Sequence, residues 1–167
     1  MEKKRKNTSN KIGDKFEQRV QQVCDDLRKN KICMLSKVPT EWKVIRNGGR
    51  IVSGFPVSES KFVDYVGVYK GKSVSIETKT CANKTSFPLS NIKDTQFEYF
   101  LDYELMGGLG YYIIEFREYK EIYLVKSMQI EAFRNSNERK SIPYQWFKDN
   151  GVLLDYERIN FIDYIMS

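Results

Sequence analysis

The chain has 167 residues, of which 41% are hydrophobic and 30% charged, a composition that fits one globular domain and excludes a disordered chain. Lysine and arginine total 28 against 22 acids, for a net charge of +6, which favours an anionic partner such as nucleic acid over none. Histidine is absent, which excludes Ser-His-Asp and Cys-His catalysis and histidine-bound metals. Carboxylate, lysine and hard-metal chemistry remain.

The sequence also bounds the compartment that we expect. No apolar run approaches the roughly 18 residues of a membrane span, and the basic N-terminus lacks the apolar stretch of a signal peptide. We therefore expect a cytoplasmic protein without a membrane partner. The three cysteines form no C-x-x-C motif, so a disulfide framework is not expected.

Taken in chain order, residues 1–10 are predicted to be a basic, flexible tail, and residues 11–167 a single domain. Apolar residues at helical spacing predict an amphipathic helix over about residues 11–30. The segment "EWKVIRNGGRIVSGF" then predicts two strands around Asn47-Gly48-Gly49. The segment "FVDYVGVYKGKSVSIETKT" predicts a second hairpin, which turns at Lys70-Gly71.

The second half of the chain mixes helices and strands. The segment "CANKTSFPL" is predicted to be a loop, and residues from about 91 to 106 a helix ended by Gly107-Gly108. The segments "GYYIIEFR" and "EIYLVK" predict strands, and "SMQIEAFRNS" and "PYQWFKDNG" predict short helices. This order of elements predicts one layered α/β domain.

Two acids in the second hairpin face each other if it turns at Lys70-Gly71. Pairing outward from that turn places Asp64 opposite Glu77, with their Cβ atoms about 4.5–5.5 Å apart on one face. Two like charges so placed repel unless a cation lies between them, and a divalent metal with oxygen ligands would satisfy both. The hairpin therefore predicts a metal site.

Lys79 lies two residues after Glu77 and shares its face, so its ammonium could reach a phosphate beside the metal. Such a site suits phosphodiester hydrolysis, and the spacing is the D…(D/E)-x-K pattern of restriction-endonuclease-like nucleases. The pattern alone is weak. A solvated sheet face with a surface Glu–Lys pair explains it nearly as well.

The wider sequence resembles the RecU family of Holliday junction resolvases, whose members occur in Gram-positive bacteria and their phages. The likeness is carried by "DYVGVYKGKSVSIETKT", "NKTSFPLSNIKDTQFEYF", "GYYIIEF", "EIYLV" and "RKSIP", and it extends from about Gly13 to "FIDYI". The resemblance implies a restriction-endonuclease-like fold, with a central mixed β-sheet flanked by helices and a protruding basic stalk hairpin at about residues 40–60. It also implies a homodimer that nicks four-way junction DNA symmetrically with Mg²⁺ or Mn²⁺.

Carried over by position, the resemblance makes Asp64, Glu77 and Lys79 catalytic, and makes Asp64, Glu77 and Gln96 the metal ligands. Without it, Gln96 would be interpreted as a surface residue. The family's threonine ligand two residues before the aspartate is replaced by Phe62, so a water or a backbone carbonyl would have to fill that place. Glu17 resembles an acidic position behind the metal site in many such nucleases, although a solvated helix face explains it equally simply.

The DNA contacts are also implied by the resemblance. Lys43, Arg46 and Arg50 would contact phosphates at the crossover from the stalk. The loop residues Lys84, Thr85 and Ser86 could contact the backbone near the cut, and four cations of the N-terminal tail would add non-specific affinity, namely Lys3, Lys4, Arg5 and Lys6.

The sequence therefore predicts a metal-dependent Holliday junction endonuclease, with a strand-exchange recombinase as a further possible partner. Two alternatives stay open. One is a related nuclease that acts on other branched DNA, and the other is a catalytically silent DNA-binding or recombinase-modulating protein of the same fold.

Overall fold

A computed structural model of the chain describes residues 2–39, 42–56, 62–136 and 138–166. The helices are α1 Glu2–Lys29, α2 Asp94–Leu105, α3 Ser127–Ser136 and α4 Tyr144–Asn150, with short 3-10 helices at Leu89–Asn91 and Phe161–Asp163. The strands are β1 Met34–Lys37, β2 Trp42–Asn47, β3 Arg50–Pro56, β4 Tyr65–Tyr69, β5 Lys72–Cys81, β6 Ser86–Pro88, β7 Leu109–Phe116, β8 Glu121–Lys126, β9 Ser141–Pro143 and β10 Val152–Leu154.

The centre of the molecule is a six-stranded mixed sheet in the order β1-β4-β5-β7-β8-β10. Strands β5 and β7 are parallel, because α2 crosses over between them, and the other neighbours are antiparallel. The predicted fold class, a central mixed sheet flanked by helices, is confirmed.

Apolar side chains on the two faces of this sheet form two cores. On one face, α1 and the C-terminal segment pack through residues such as Phe16, Val20, Cys24, Phe161 and Ile165. On the other face, α2, α3 and α4 pack through Phe97, Phe100, Ile130, Phe133 and Phe147. Strand β7 is buried on both faces, with Ile113 in the first core and Ile114 in the second. Its continuous apolar run is typical of a central strand covered on both sides.

The hairpin β4–β5 has the predicted register. Lys70 and Gly71 both have positive φ, at 46° and 77°, as a two-residue turn requires. Tyr69 pairs with Lys72 and Tyr65 with Ile76, so the next pair outward is Asp64 with Glu77. The β-turn chemistry of two residues thus sets the position of both acids.

Several boundaries differ from the predictions. Helix α1 begins at Glu2, so the backbone of residues 2–10 is helical where a tail was predicted; lysine, arginine and glutamate are good helix formers. The side chains of residues 2–12 lie outside the description, including the four N-terminal cations. The helix predicted from residue 91 is a 3-10 turn at Leu89–Asn91 followed by α2 from Asp94.

Four short strands were not predicted. Strands β1 and β10 lie at the two edges of the main sheet, and β6 pairs with β9 in a separate two-stranded ladder. The interpretation of residues 81–89 as a loop was therefore wrong at Ser86, which opens β6. Strands of three or four residues are too short to show an alternating pattern.

Strands β2 and β3 form their own two-stranded sheet, apart from the main one. Every side chain from residue 43 to residue 55 is exposed, as expected of a stalk that projects from the body. Residues 40, 41 and 57–61 of the predicted stalk lie outside the described residues. None of the described helices is long and apolar enough to cross a membrane.

Candidate active site

The two hairpin acids lie together where β4 begins and β5 passes it. The backbone N–H of Asp64 donates to Oε2 of Glu77 at 3.1 Å. Oδ2 of Asp64 in turn accepts from the backbone N–H of Thr78 at 2.8 Å and from its hydroxyl at 2.5 Å. Each carboxylate is thus fixed by the strand that carries the other.

Glu77 is the most buried of the site residues, with 3% of its surface exposed. Its Oε1 accepts from Nζ of Lys79 and from Nε2 of Gln96, both at 2.6 Å. Gln96 lies in the first turn of α2 and is itself only 5% exposed. The structure therefore brings together Asp64, Glu77, Lys79 and Gln96, and the interpretation of Gln96 as a surface residue was wrong.

Burial makes the charged form of Glu77 costly. Desolvation, with the nearby charge of Asp64, raises the pKa of Glu77 to about 7, although Lys79 and Gln96 act in the opposite direction. A carboxyl group with a pKa near neutrality, beside a second acid, is typical of a functional site.

The donor set fits a hard divalent cation. Carboxylate and amide oxygens are the ligands that Mg²⁺ prefers, and the like charges of Asp64 and Glu77 gain from a cation between them. Among the described residues, no three Asp, Glu, Cys or His side chains form a metal-binding group. The amide of Gln96 would complete the set after a half-turn, because its Oε1 now accepts from the backbone N–H of Lys93 at 3.2 Å.

Lys79 does not extend outward, as the sequence suggested, but pairs with Glu77. Its ammonium thus supplies positive charge to the acid pair and would be released toward a phosphate when a cation takes over that role. Glu17 lies next to this cluster through Tyr65, whose hydroxyl donates to the Glu17 carbonyl at 2.8 Å. The Glu17 carboxylate pairs with Lys37 at 2.5 Å, so its predicted role behind the metal site has only this indirect support.

The predicted DNA contacts are placed on the surface. Lys43, Arg46 and Arg50 are all exposed on the β2–β3 hairpin. Nη1 of Arg46 donates to the carbonyl of Gly49 at 3.4 Å across the hairpin tip. Their cationic groups thus face solvent, as phosphate-binding side chains do in a free protein.

The loop after β5 is also accessible. Lys84 is exposed and lies 3.9 Å from Glu118, a distance that leaves its ammonium able to exchange partners. Thr85 is exposed, and its carbonyl accepts from the backbone N–H of Tyr144 at 2.9 Å. Ser86 is half-buried in β6, so it is the least accessible of the three.

Thr78 was not predicted as a site residue, although it makes two hydrogen bonds to Asp64. In a regular strand its side chain points away from Glu77, which hid its role. Its position diagonal to Asp64 across the hairpin was the available signal, since diagonal neighbours lie within reach of each other.

A mixed α/β sheet that brings Asp64, Glu77 and Lys79 together at one end of a hairpin defines a nuclease of the D…(D/E)-x-K class. The sequence profile of the RecU family, described as Recombination protein U, matches residues 11–167. The chain belongs to the RecU family.

Individual relatives agree with this assignment. A protein of Pediococcus pentosaceus named Holliday junction resolvase RecU is 32% identical over 145 residues, which cover 81% of this chain and 72% of that protein. A protein of Bacillus cytotoxicus with the same name is 32% identical, with 98% and 86% covered. Among solved structures, Hjc of Archaeoglobus fulgidus, a Holliday junction resolvase, has a TM-score of 0.47 at 12% identity over 79% of this chain and 90% of its own, which is a remote similarity.

The raised pKa of Glu77 predicts how stability depends on pH in the absence of metal. Below a pH of about 4.5 this group is protonated in both the folded and unfolded chains, so it contributes nothing. Between 4.5 and about 7 the unfolded chain loses the proton first, so the folded state is increasingly disfavoured, and above 7 the cost is complete. Glu77→Gln should therefore raise the melting temperature in EDTA by a few degrees at pH 8.5 and by little at pH 4.5.

Glu98→Gln is the matched control, since Glu98 is an exposed acid on α2. It should change the melting temperature equally little at both pH values. If Glu77→Gln lowers the melting temperature more at pH 8.5 than at pH 4.5, Glu77 is ionised and stabilising in the metal-free fold, contrary to this account.

Phe62, at the position of the family's threonine, is 44% exposed and meets the ring of Tyr99 edge-on at 6.2 Å between centroids. A half-exposed ring contributes little to the core, so we expect Phe62→Thr to fold and to cut DNA at least as well as the wild type at limiting Mg²⁺. Cleavage rates over a Mg²⁺ titration, with melting temperatures alongside, test this. A loss of both folding and activity would mean that the ring has a structural role.

Proposed function

We propose that this chain is a structure-selective endonuclease that cuts four-way DNA junctions by Mg²⁺- or Mn²⁺-dependent phosphodiester hydrolysis. The observation that carries the proposal is the buried pair of Asp64 and Glu77, with Lys79 and Gln96 bonded to the same carboxylate, in a chain of the RecU family. No described feature favours a catalytically silent protein, since each of these side chains is present and placed.

Each residue has a chemical task in this proposal. Asp64 and Glu77 hold the cation, and Thr78 keeps the Asp64 carboxylate in place. A bound divalent cation polarises a phosphoryl oxygen and lowers the pKa of a water. Lys79, once released from Glu77, stabilises the negative charge that develops on the phosphate.

The substrate class follows from the family and the charge. The net charge of +6 and the exposed cations of the β2–β3 hairpin suit a polyanion with closely spaced phosphates. A homodimer would present two sites to two opposed strands of a junction, which is how symmetric nicks arise. A strand-exchange recombinase as a further partner stays a prediction from the resemblance.

The stalk role of the hairpin is testable on its own. Replacing both Arg46 and Arg50 with alanine should weaken junction binding about tenfold or more, while binding to linear duplex should fall less, because only a junction places phosphates around a central opening. Binding is measured for both substrates across a salt series, with Lys120→Ala, an exposed lysine in the β7–β8 turn, as the control. Equal losses on junction and duplex would contradict a stalk role.

Cleavage of a synthetic mobile junction, compared with a fork and a linear duplex of the same sequence, tests the proposed function. We expect two symmetric nicks in the junction in Mg²⁺, none in EDTA, and little cutting of the duplex. Equal cutting of fork and junction would favour the related-nuclease alternative. Tight junction binding without cleavage in either Mg²⁺ or Mn²⁺ would favour the silent one.

A further inference from the structure

A polar cavity of about 530 Å³ lies at the end of the sheet, next to the acid pair. Its walls include Gly13 of α1, Thr78 and Lys79 of β5, Asn83 and Asn91 of the following segment, and Arg117 just after β7. Strands β5 and β7 are the parallel pair, and they end together at the pair Cys81–Phe116. Open α/β sheets bind ligands beyond the carboxyl ends of their strands, which is where this cavity lies.

The lining of the cavity has the chemistry of an anion site. Lys79 and Arg117 supply two cations, and threonine hydroxyls and asparagine amides supply most of the remaining polar groups. No carboxylate is found among the described residues that line it. A ligand with negative charge and several acceptor oxygens would match this set, and a phosphate group has both properties.

Arg117 is the most informative of these residues. Its backbone N–H donates to the carbonyl of Cys81 at 3.1 Å, which fixes where the side chain starts. Its Nε is buried, yet has no hydrogen-bond partner among the residues that the structure describes. Buried polar groups are nearly always bonded, so an orphaned guanidinium nitrogen beside a polar cavity points to an absent ligand. Guanidinium groups bind phosphate through paired N–H donors.

The cavity is connected directly to the acid pair. Thr78 lines the cavity and donates both its hydroxyl and its backbone N–H to Asp64. Lys79 lines it as well and bonds to Glu77. An anion held there would thus lie one side chain away from the carboxylates, as the next phosphate of a strand does when its neighbour is at the reacting centre.

We propose that this cavity binds the phosphodiester next to the scissile one on the cut strand, and that Arg117 is the positioning residue that holds it. The proposal rests on the proposed function, since it presumes that a DNA strand enters the site. It adds a specific contact that fixes the register of the strand relative to Asp64 and Glu77.

Junctions that carry one neutral methylphosphonate linkage, placed at successive positions around the cut, test the proposal. At one position flanking the cut, the neutral linkage should lower the wild-type kcat/KM by about ten- to a hundredfold. Arg117→Gln should show a similar loss on the unmodified junction, mainly in KM, and no further loss from that linkage. Its junction affinity in Ca²⁺ should fall less steeply with salt, by about 0.9 in the log–log slope.

Arg28→Gln is the control, because Arg28 is exposed and lies roughly 22 Å along α1 from Gly13. It should keep the position-specific effect. If the flanking linkage still weakens Arg117→Gln as much as it weakens the wild type, Arg117 does not contact that phosphate and the proposal is wrong.

Asn83→Asp guards against a folding defect in Arg117→Gln. Asn83 is exposed at the rim of the cavity, so the new carboxylate should leave the fold intact and repel the phosphate. Wild-type affinity and cleavage in this variant would overturn the proposal. A wild-type protein that never cuts junctions would refute the proposed function instead, and binding of the modified junctions in Ca²⁺ would still decide whether the cavity holds a phosphate.

Discussion

Asp64→Asn and Glu77→Gln are each expected to slow junction cleavage about a thousandfold or more, while junction binding in Ca²⁺ stays near the wild-type value. Both changes are nearly isosteric. An asparagine oxygen at position 64 can still accept from Thr78, so the hairpin should keep its shape. What is lost is one of two anionic ligands, and with it the electrostatic stabilisation that the cation gives to the reacting phosphate.

The metal dependence of stability separates this loss from a general defect. A ligand that binds only the folded state stabilises it by mass action, so Mg²⁺ should raise the wild-type melting temperature. The same addition should raise it much less in either variant. Asp102→Asn, which removes an exposed acid on α2, is the matched control and should respond to Mg²⁺ as the wild type does. Near wild-type cleavage by Asp64→Asn would place the metal site elsewhere.

Lys79→Ala is expected to behave differently, with cleavage falling by about a hundred- to a thousandfold and metal binding retained. In the metal-free protein the ammonium occupies the cation position beside Glu77, at 2.6 Å from Oε1. Removing it should therefore leave the Mg²⁺-dependent rise in melting temperature equal to or larger than that of the wild type, because a competitor for the carboxylate is gone. Its missing function is at the phosphate.

Lys72→Ala, at the exposed start of the same strand, controls for the loss of one positive charge. It should cut junctions within a fewfold of the wild type. Should Lys79→Ala instead lose the response to Mg²⁺ and keep cleavage, the lysine would be a structural partner of Glu77 with no part in the chemistry.

The acid pair could be predicted from the sequence because its geometry depends on local chemistry. Lys70-Gly71 sets a two-residue turn, the turn sets the register, and the register places Asp64 against Glu77. The same reasoning placed Lys79 on the shared face. It did not show that Lys79 would turn back onto Glu77, because the partner of a long flexible side chain depends on the charges that surround it.

The residues that come from distant parts of the chain could not be predicted in this way. Gln96 was found only through the family resemblance, since nothing in α2 alone indicates that its first turn packs over β5. Arg117 was not foreseen at all, because its place at the cavity follows from the parallel pairing of β5 with β7. Crossover topology brings such residues together, and local periodicity carries no record of it.

The position of a bound metal ion tests the central claim most directly. A crystal of the protein soaked with Mn²⁺, with diffraction collected at the manganese absorption edge, reports the ion by its anomalous signal. We predict a peak in contact with the carboxylates of Asp64 and Glu77, with Lys79 displaced from Glu77 and the peak absent in Glu77→Gln. A peak that contacts neither acid, or one that persists unchanged in Glu77→Gln, would contradict the account.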